Sequence, residues 1–192
     1  MAELLKGAPV ARALTEELGA RVAALLARGV TPGLAMLRVG ERPDDLSYER
    51  AALRRCEKVG IAVRRVTLPA DCTQAELERA IRDVNADPSV HGCLMFRPLP
   101  AALDERAACA ALDVAKDVDG VTAGSLAGVF AGEPVGFPPC TAEAVLQLLR
   151  HHGVALDGAD VVVVGRSLVI GRPVSMLLQA ANATVKIGRA HV

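Results

Sequence analysis

Hydrophobic and polar positions follow two different periods in the first part of the chain. Apolar residues recur at helical spacing over three segments: 9–29, 46–59 and 73–87. Short apolar runs, too short for helices, lie after each of them: 33–40, 61–69 and 90–96. Strands that alternate with helices of this length predict βαβ units around a mostly parallel sheet. The pattern therefore predicts an α/β fold.

The same alternation resumes after residues 115–124, whose Asp and Gly content and lack of periodicity predict a loop after a short helix near 104–112. The predicted elements beyond this loop are a helix over 140–153, a fully buried parallel strand over 159–167, a helix over 171–183 and a strand from 183. Strand, glycine-rich turn, helix and strand form the dinucleotide-binding unit. We therefore expect two domains, 1–120 and 121–192.

Charge and composition exclude several classes of protein. The 192 residues are 52% hydrophobic, and 22 basic residues balance 22 acidic ones. Without a run of like charges, we expect neither a nucleic-acid nor a membrane-surface partner. The start "MAELLKGAPVARAL" has no apolar stretch of signal-peptide length, and no apolar run approaches a membrane span. We therefore expect a cytoplasmic protein.

The cysteines do not predict a cross-linked or metal-binding protein. There are five of them, widely spaced and never in a C-x-x-C pattern: Cys56, Cys72, Cys93, Cys109 and Cys140. An odd number at such spacing fits reduced, mostly buried thiols better than disulfides or a zinc site. We expect no bound metal.

A candidate cofactor turn lies in "VVVVGRSLVIGRP". Its glycines, Gly165 and Gly171, do not form G-x-G-x-x-G, so spacing alone leaves the nucleotide reading and a plain turn equally open. Gly165 ends an apolar strand and would let the backbone approach a ligand, and free N–H groups at the helix start would suit a phosphate. Arg166 would pair with the 2′-phosphate of NADP. Pro173 fits the first turn of the helix, where no N–H is needed.

Two further stretches admit both a structural and a functional reading. Asp117 and Asp119 in "KDVDG" follow the third βα unit, at the sheet edge where ligands bind, yet both also fit solvated turn aspartates. The two prolines of "RPLP" predict a rigid exit from a strand, with one X-Pro bond open to the cis form. By themselves these residues indicate only a shaped loop.

Several stretches together resemble the methylenetetrahydrofolate dehydrogenase/cyclohydrolase family. They are "VGERPDDLSYERAALRRCEKVGI", "NADPSVHGCLMFRPLP", "KDVDGVTAGSLAGVFAGE", "FPPCTAEAV" and "VVVVGRSLVIGRPVSMLLQAANATV". The resemblance runs in order from about residue 8 to 185. It implies an N-terminal catalytic domain and a C-terminal Rossmann-like NAD(P)-binding domain in a homodimer. It also implies interconversion of methylene-, methenyl- and formyl-tetrahydrofolate with NADP or NAD, in a folate cleft between the domains.

The resemblance assigns roles to residues that match the family's motifs. Tyr48, the only tyrosine, matches the folate-stacking tyrosine, and Asp119 matches the folate-anchoring aspartate. The remaining matches are the cleft-lining Pro98, Leu99 and Pro100 and the cofactor-turn residues Gly165, Arg166, Ser167, Gly171 and Pro173.

Two positions depart from the family pattern. The family's catalytic lysine, four residues after the tyrosine, is Ala52 here, and its glutamine before L-P-L-P is Phe96. On a helix, Tyr48 and Ala52 share a face one turn apart. Hydride transfer chiefly requires alignment of the reacting carbons. Hydration of the methenyl cation also requires a proton acceptor, which a placed side chain usually supplies.

The sequence therefore predicts a methylenetetrahydrofolate dehydrogenase whose cyclohydrolase activity is doubtful. A non-catalytic folate- or partner-binding paralogue is an alternative. A two-domain dehydrogenase of amino or hydroxy acids is another, against which Tyr48, Asp119 and "FPPCT" argue.

The end of the chain also departs from the family, whose members continue through several more strands and helices. The last residues, "IGRAHV" (187–192), match one reading frame of a common sequencing adapter. We expect that the native sequence ends near Val185, that the remaining residues are read-through, and that this fragment alone is inactive.

Overall fold

The computed structural model describes residues 2–188, and these residues divide into two compact units. The first unit spans Leu14–Asp117. The second joins the N-terminal segment up to Ala13 with the part of the chain from Val118 onward. Of the stretch 187–192, residues 189–192 lie outside the described residues, so the prediction about its origin rests on the sequence.

Helices and strands alternate along the chain, which confirms the predicted α/β class. The α-helices are α1 (Gly7–Ala27), α2 (Pro43–Val59), α3 (Gln74–Ala86), α4 (Glu105–Ala111), α5 (Ala123–Ala131), α6 (Cys140–His151) and α7 (Gly171–Ala180). The strands are β1 (Gly33–Val39), β2 (Ala62–Leu68), β3 (Gly92–Met95), β4 (Asp160–Val164) and β5 (Thr184–Gly188).

The first unit is built on a parallel three-stranded sheet in the order β2-β1-β3. The central strand is β1, in which Leu37 lies opposite Val66 of β2 and Met95 of β3. Strands β1 and β3 are largely buried, whereas β2 at the edge is half-exposed. A central strand is hydrogen-bonded on both sides, so its apolar run forms the core of the unit, as the sequence predicted.

Helix α3 shows how local sequence determines an element of this unit. The Thr73 hydroxyl accepts a hydrogen bond from the Glu76 amide, and the Glu76 carboxylate accepts one from the Thr73 amide. This capping box satisfies two amides that the helix start leaves without partners. Leu77, Ile81 and Val84, at helical spacing, are buried against the unit. The predicted segment 73–87 is thus a helix with one apolar face.

The predicted loop over 115–124 was partly wrong. A 3-10 helix covers Val114–Lys116, and the Lys116 ammonium donates to three carbonyl oxygens at the end of α3, 2.7 to 2.9 Å away. Helix α5 already begins at Ala123, because the Thr122 hydroxyl caps it by accepting from the Ser125 amide. Capping hydrogen bonds stabilise these short helices, and hydrophobic periodicity does not reveal such bonds.

In the second unit, β4 and β5 pair in parallel. The predicted full burial of β4 was wrong. Val161 and Val163 pack with α6 and α7, whereas Val162 and Val164 are each 64% exposed. Within the described residues this sheet has two strands and helices against one face, so alternate valines face outward.

The five cysteines are thiols, three of them buried, as predicted. Cys109 is half-buried and Cys140 is exposed. Within residues 2–188, no helix has the length and apolar character needed to cross a bilayer.

Candidate functional site

Tyr48 and Phe96 form an aromatic pair at the carboxyl end of the first sheet. Tyr48 lies on α2, and Phe96 directly follows β3. Their ring centroids are 5.6 Å apart with an interplanar angle of 77°. Phe96 is 6% exposed, whereas Tyr48 is 57% exposed. The pair therefore presents the Tyr48 ring to solvent on an apolar support, which suits stacking of a flat ligand.

Ala52 lies on the same side of α2 and packs on the cluster that contains Phe96, together with Met36 and Cys56. Ala52 and Phe96 are the two residues at which the sequence is expected to depart from the family's lysine and glutamine. Neither side chain can accept or donate a proton. The wall beside Tyr48 is therefore apolar at both positions.

The Pro98–Pro100 loop is held from two sides. The bond between Arg97 and Pro98 is cis. The Leu99 amide donates to the Glu105 carboxylate over 2.9 Å, and the Arg42 guanidinium donates to the Pro98 carbonyl over 3.0 Å. Pro98 is exposed and Pro100 half-exposed, but Leu99 is buried. The two prolines thus line the surface, while Leu99 anchors the loop.

The two aspartates of "KDVDG" differ. Asp117 is fully buried and its backbone bridges Cys93, so the reading as a solvated turn residue was wrong for it. Burial, with a smaller contribution from Asp117, raises the pKa of the Cys93 thiol to about 12. Asp119 is half-buried and belongs to the second unit. Asp117 is thus part of the core, and Asp119 is the candidate for ligand contact.

The chain around Asp119 packs tightly against the "FPPC" segment. Gly120 has φ +63° and lies so close to Phe137 and Pro139 that any Cβ would overlap their backbone atoms. The Cys140 thiol donates to the Val118 carbonyl over 3.2 Å. Sequence reasoning did not connect these two segments, although both belong to the resembling stretches. Their contact holds Asp119 in one backbone arrangement.

The candidate cofactor turn connects β4 and α7. Gly165 has φ +149°, and a Cβ at Gly171 would overlap the Gly165 carbonyl, so both ends of the turn require glycine. The Ser167 hydroxyl accepts from the Ile170 amide over 3.0 Å. Arg166 is exposed. The turn is thus held by a hydrogen bond between its own residues, and the Arg166 side chain lies at the surface.

The expectation of free N–H groups at the start of α7 was wrong for two of its amides. The Ile170 amide, at the N-cap, donates to the Ser167 hydroxyl, and the Arg172 amide donates to the Ser167 carbonyl. Pro173 is buried and has no N–H. Any phosphate contact at this site would therefore rest on Gly165 to Ser167 more than on the helix start.

Sequence reasoning missed a buried ion pair beside Tyr48. Arg38 of β1 donates to the carboxylate of Glu49, the residue after Tyr48, over 2.7 Å. The signal that could have found it is the arginine inside the apolar run "GLAMLRVG". In the described part of the chain, no three His, Cys, Asp or Glu side chains form a group that could hold a metal ion.

Comparison with known proteins places this geometry in a family. The model of the tetrahydrofolate dehydrogenase/cyclohydrolase catalytic domain matches residues 5–119, and that of the family's NAD(P)-binding domain matches 139–191. The bifunctional protein FolD of Carboxydothermus hydrogenoformans is 49% identical over 187 residues, covering 97% of this chain and 65% of that protein. FolD of Alkaliphilus oremlandii is 46% identical over 97% of this chain and 66% of its own length.

Solved structures agree with these matches. FolD of Campylobacter jejuni, a methylenetetrahydrofolate dehydrogenase/cyclohydrolase, superposes with a TM-score of 0.94 at 33% identity over 99% of this chain and 67% of its own. The Trypanosoma brucei enzyme, complexed with NADP cofactor and an inhibitor, gives 0.90 at 34% identity over 98% and 64%. The chain thus spans about two thirds of the length of its relatives. From the match over residues 5–119, which is more than half of the chain, it belongs to the tetrahydrofolate dehydrogenase/cyclohydrolase family.

Proposed function

We propose that the whole protein oxidises 5,10-methylenetetrahydrofolate to 5,10-methenyltetrahydrofolate, using NADP or NAD, and hydrolyses the product poorly. The observation that carries this proposal is the exposed ring of Tyr48 on a wall formed by Phe96 and Ala52. Such a wall can hold an aromatic ligand but offers no proton acceptor at either position. This wall can therefore still align a substrate, but neither Ala52 nor Phe96 can act as a general base.

Residues 1–120 are proposed to bind the folate. The Tyr48 ring would stack on its bicyclic ring system, because the ring is flat, exposed and supported from behind by Phe96. Pro98 and Pro100 offer rigid apolar surface beside it, and the Leu99 amide is fixed by Glu105. The Asp119 carboxylate would accept hydrogen bonds from ring nitrogens of the folate.

Residues 121–192 are proposed to contribute a Rossmann-like site for the dinucleotide. Gly165 and Gly171 let the backbone approach a ligand, and Arg166 would pair with the 2′-phosphate that distinguishes NADP from NAD. A dinucleotide held there would supply the nicotinamide ring as hydride acceptor for the methylene carbon of the folate. We favour NADP because an exposed guanidinium beside the turn suits a phosphate dianion.

The dehydrogenase and cyclohydrolase steps require different chemical groups from the protein. In the first, the methylene carbon loses a hydride while the neighbouring nitrogen lone pair forms the methenyl cation, and no side chain has to move a proton. In the second, water adds to that cation and loses a proton, and one C–N bond then breaks as its nitrogen takes up a proton to leave the formyl group. A group placed to accept the proton of water typically contributes ~10²–10⁴-fold. Ala52 and Phe96 cannot supply that group. The hydrolytic step should therefore be the slower one.

The same losses favour a second candidate, a paralogue that binds folate without turnover. We propose a cytoplasmic homodimer for either candidate, as expected for the family.

The test is to mix the whole protein with methylenetetrahydrofolate and NADP, then NAD, and to follow reduced nicotinamide and the methenyl product separately by absorbance. We expect reduced cofactor with accumulation of the methenyl compound. Binding of folate without any reduced cofactor at high enzyme concentration would support the non-catalytic candidate. Equal rates of oxidation and hydrolysis would contradict the proposed loss of cyclohydrolase activity.

A further inference from the structure

A buried ion pair joins the helix that carries Tyr48 to the sheet beneath it. Arg38 is on the central strand β1, and Glu49 follows Tyr48 on α2. The Arg38 Nε atom donates to Glu49 Oε2 over 2.7 Å. The two side chains are 8% and 7% exposed. The pair is therefore shielded from solvent, unlike the surface pair of Glu17 and Arg21 on α1, which is 63% and 69% exposed.

Each end of this ion pair is next to one ring of the aromatic pair. Leu37 of β1 lies opposite Met95 of β3, and the Phe96 amide donates to the Leu37 carbonyl over 2.9 Å. The following residue on β1 is Arg38, so Arg38 lies beside Phe96 in the register of the sheet. At the other end, Glu49 is bonded covalently to Tyr48. Both pairs thus connect α2 to the same sheet, the ion pair through β1 and the aromatic pair through the residue that follows β3.

Further contacts fix the orientation of the two side chains of the ion pair. The Arg38 guanidinium also donates to the Gly40 carbonyl at the end of β1. The second carboxylate oxygen of Glu49 lies 3.9 Å from the Arg65 guanidinium on β2. The carboxylate is therefore held between two strands of the sheet. Hydrogen bonds depend on angle as well as distance, so this arrangement restrains the rotation of α2 about its own axis.

The next turn of this helix face makes apolar contact with the sheet. At Ala52, one turn beyond Tyr48, only a methyl group meets the cluster around Phe96. Apolar contacts hold a helix against a sheet but depend weakly on direction. A buried ion pair contributes little net stability compared with apolar side chains of similar size, and its best-documented benefit is specificity of arrangement.

We propose that Arg38 and Glu49 are positioning residues that hold the Tyr48 ring against Phe96 in the orientation that folate requires. The folate part rests on the proposed function, whereas the orientation of Tyr48 can be measured without it. Neither residue touches the reacting atoms in this proposal. Their effect reaches the substrate through Tyr48.

The test replaces both charges by apolar side chains, in the double variant Arg38→Met with Glu49→Met. A variant of this kind leaves no unpaired buried charge, so the fold is expected to persist. The matched control is Glu17→Met with Arg21→Met, which makes the same two replacements at the exposed pair. Thermal unfolding of the full chain checks that both variants are folded.

Tyr48 can be observed directly, because the chain contains one tyrosine and no tryptophan. We expect the folded double variant to lose at least half of the near-ultraviolet circular dichroism of tyrosine and to show lower tyrosine fluorescence anisotropy. With the whole protein, kcat/KM for methylenetetrahydrofolate should fall about 10- to 100-fold, as expected for a small misplacement, with the KM for NADP unchanged. The control should match the wild type in all of these measurements.

Each outcome distinguishes the proposals. A folded double variant with wild-type tyrosine signals would overturn the positioning role, and so would altered signals with an unchanged folate KM. Altered tyrosine signals in a protein whose wild type binds no folate would reject the proposed function and leave the link from Glu49 to Tyr48 standing. If the double variant does not fold, Glu49→Gln and Arg38→Lys replace it, and they must show smaller changes in the same direction.

Discussion

The ring of Tyr48 meets the ring of Phe96 nearly at right angles, with 5.6 Å between the centroids. Edge-to-face pairs of this kind contribute about 0.5–1.5 kcal/mol beyond the area they bury. Because Phe96 is almost completely buried and Tyr48 is not, the contact supports Tyr48 from the core and leaves more than half of it exposed. Phe96 therefore supports the residue that is proposed to stack on folate.

Restoring the two family side chains should restore hydrolysis. In the whole protein, the double substitution Ala52→Lys with Phe96→Gln should raise the rate of methenyltetrahydrofolate hydrolysis by at least about 10-fold, since a placed proton acceptor can contribute ~10²–10⁴-fold. Decay of methenyl absorbance measures this rate. Ala51→Lys with Phe96→Gln is the control, because it adds the same charge about 100° away around α2. Equal hydrolysis in the two variants would show that position 52 is not the cause.

Arg166 should determine the preference for NADP. Removing its guanidinium with Arg166→Ala should lower kcat/KM for NADP about 10- to 100-fold and leave NAD nearly unchanged, because a charge-assisted hydrogen bond contributes about 1.5–3 kcal/mol. Arg172→Ala is the control, since Arg172 is also exposed and lies within α7. A parallel loss with both cofactors would mean that Arg166 shapes the turn and does not bind the 2′-phosphate.

A side chain at Gly171 should disrupt the cofactor turn. In Gly171→Ala the new Cβ would overlap the Gly165 carbonyl, whose backbone cannot yield as a flexible side chain can. We expect the dissociation constant for NADP to rise at least about 10-fold, because small displacements at a binding site are costly. Gly19→Ala is the control, since no atom lies within 4 Å of a Cβ there. Isothermal titration measures both, and unchanged NADP affinity in Gly171→Ala would contradict the proposed role of the turn.

The buried thiol of Cys93 should make the first unit sensitive to alkali. Burial raises its pKa from the ordinary 9.0 to about 12. Above pH 9 the unfolded chain therefore loses a proton that the folded chain keeps, and stability falls as pH rises towards 12, by at most about 1.4 kcal/mol per pH unit. Below pH 9 the Cys93 thiol does not make the stability depend on pH.

Urea unfolding at several pH values measures this dependence. Cys93→Ala should show a shallower loss of stability between pH 9 and 12 than the wild type, even if its stability at neutral pH is lower because of the cavity. Cys140→Ala is the control, because this thiol is exposed. If the stability of Cys93→Ala falls with pH as steeply as that of the wild type, groups other than Cys93 cause the alkaline dependence.

Much of this protein follows from local sequence. The strands β1 and β3 and the helices α2, α3 and α6 lie where apolar periodicity predicted them, because that periodicity reflects which side of an element faces the core. Helix α3 even shows its start in the sequence, since Thr73 and Glu76 have the spacing of a capping box. The resemblance identified Tyr48, Ala52 and Phe96 as one group, and the structure brings all three together.

The tertiary structure decided what depends on contacts between distant segments. Asp117 is a core residue because the chain passes beside Cys93 there, and Val162 is exposed because its sheet is covered on one face. The ion pair of Arg38 with Glu49 also escaped prediction, since the two residues lie on different elements and are opposed only once α2 packs on the sheet. Sequence periodicity reports which face of an element is buried, but the partner across that face is determined only by folding.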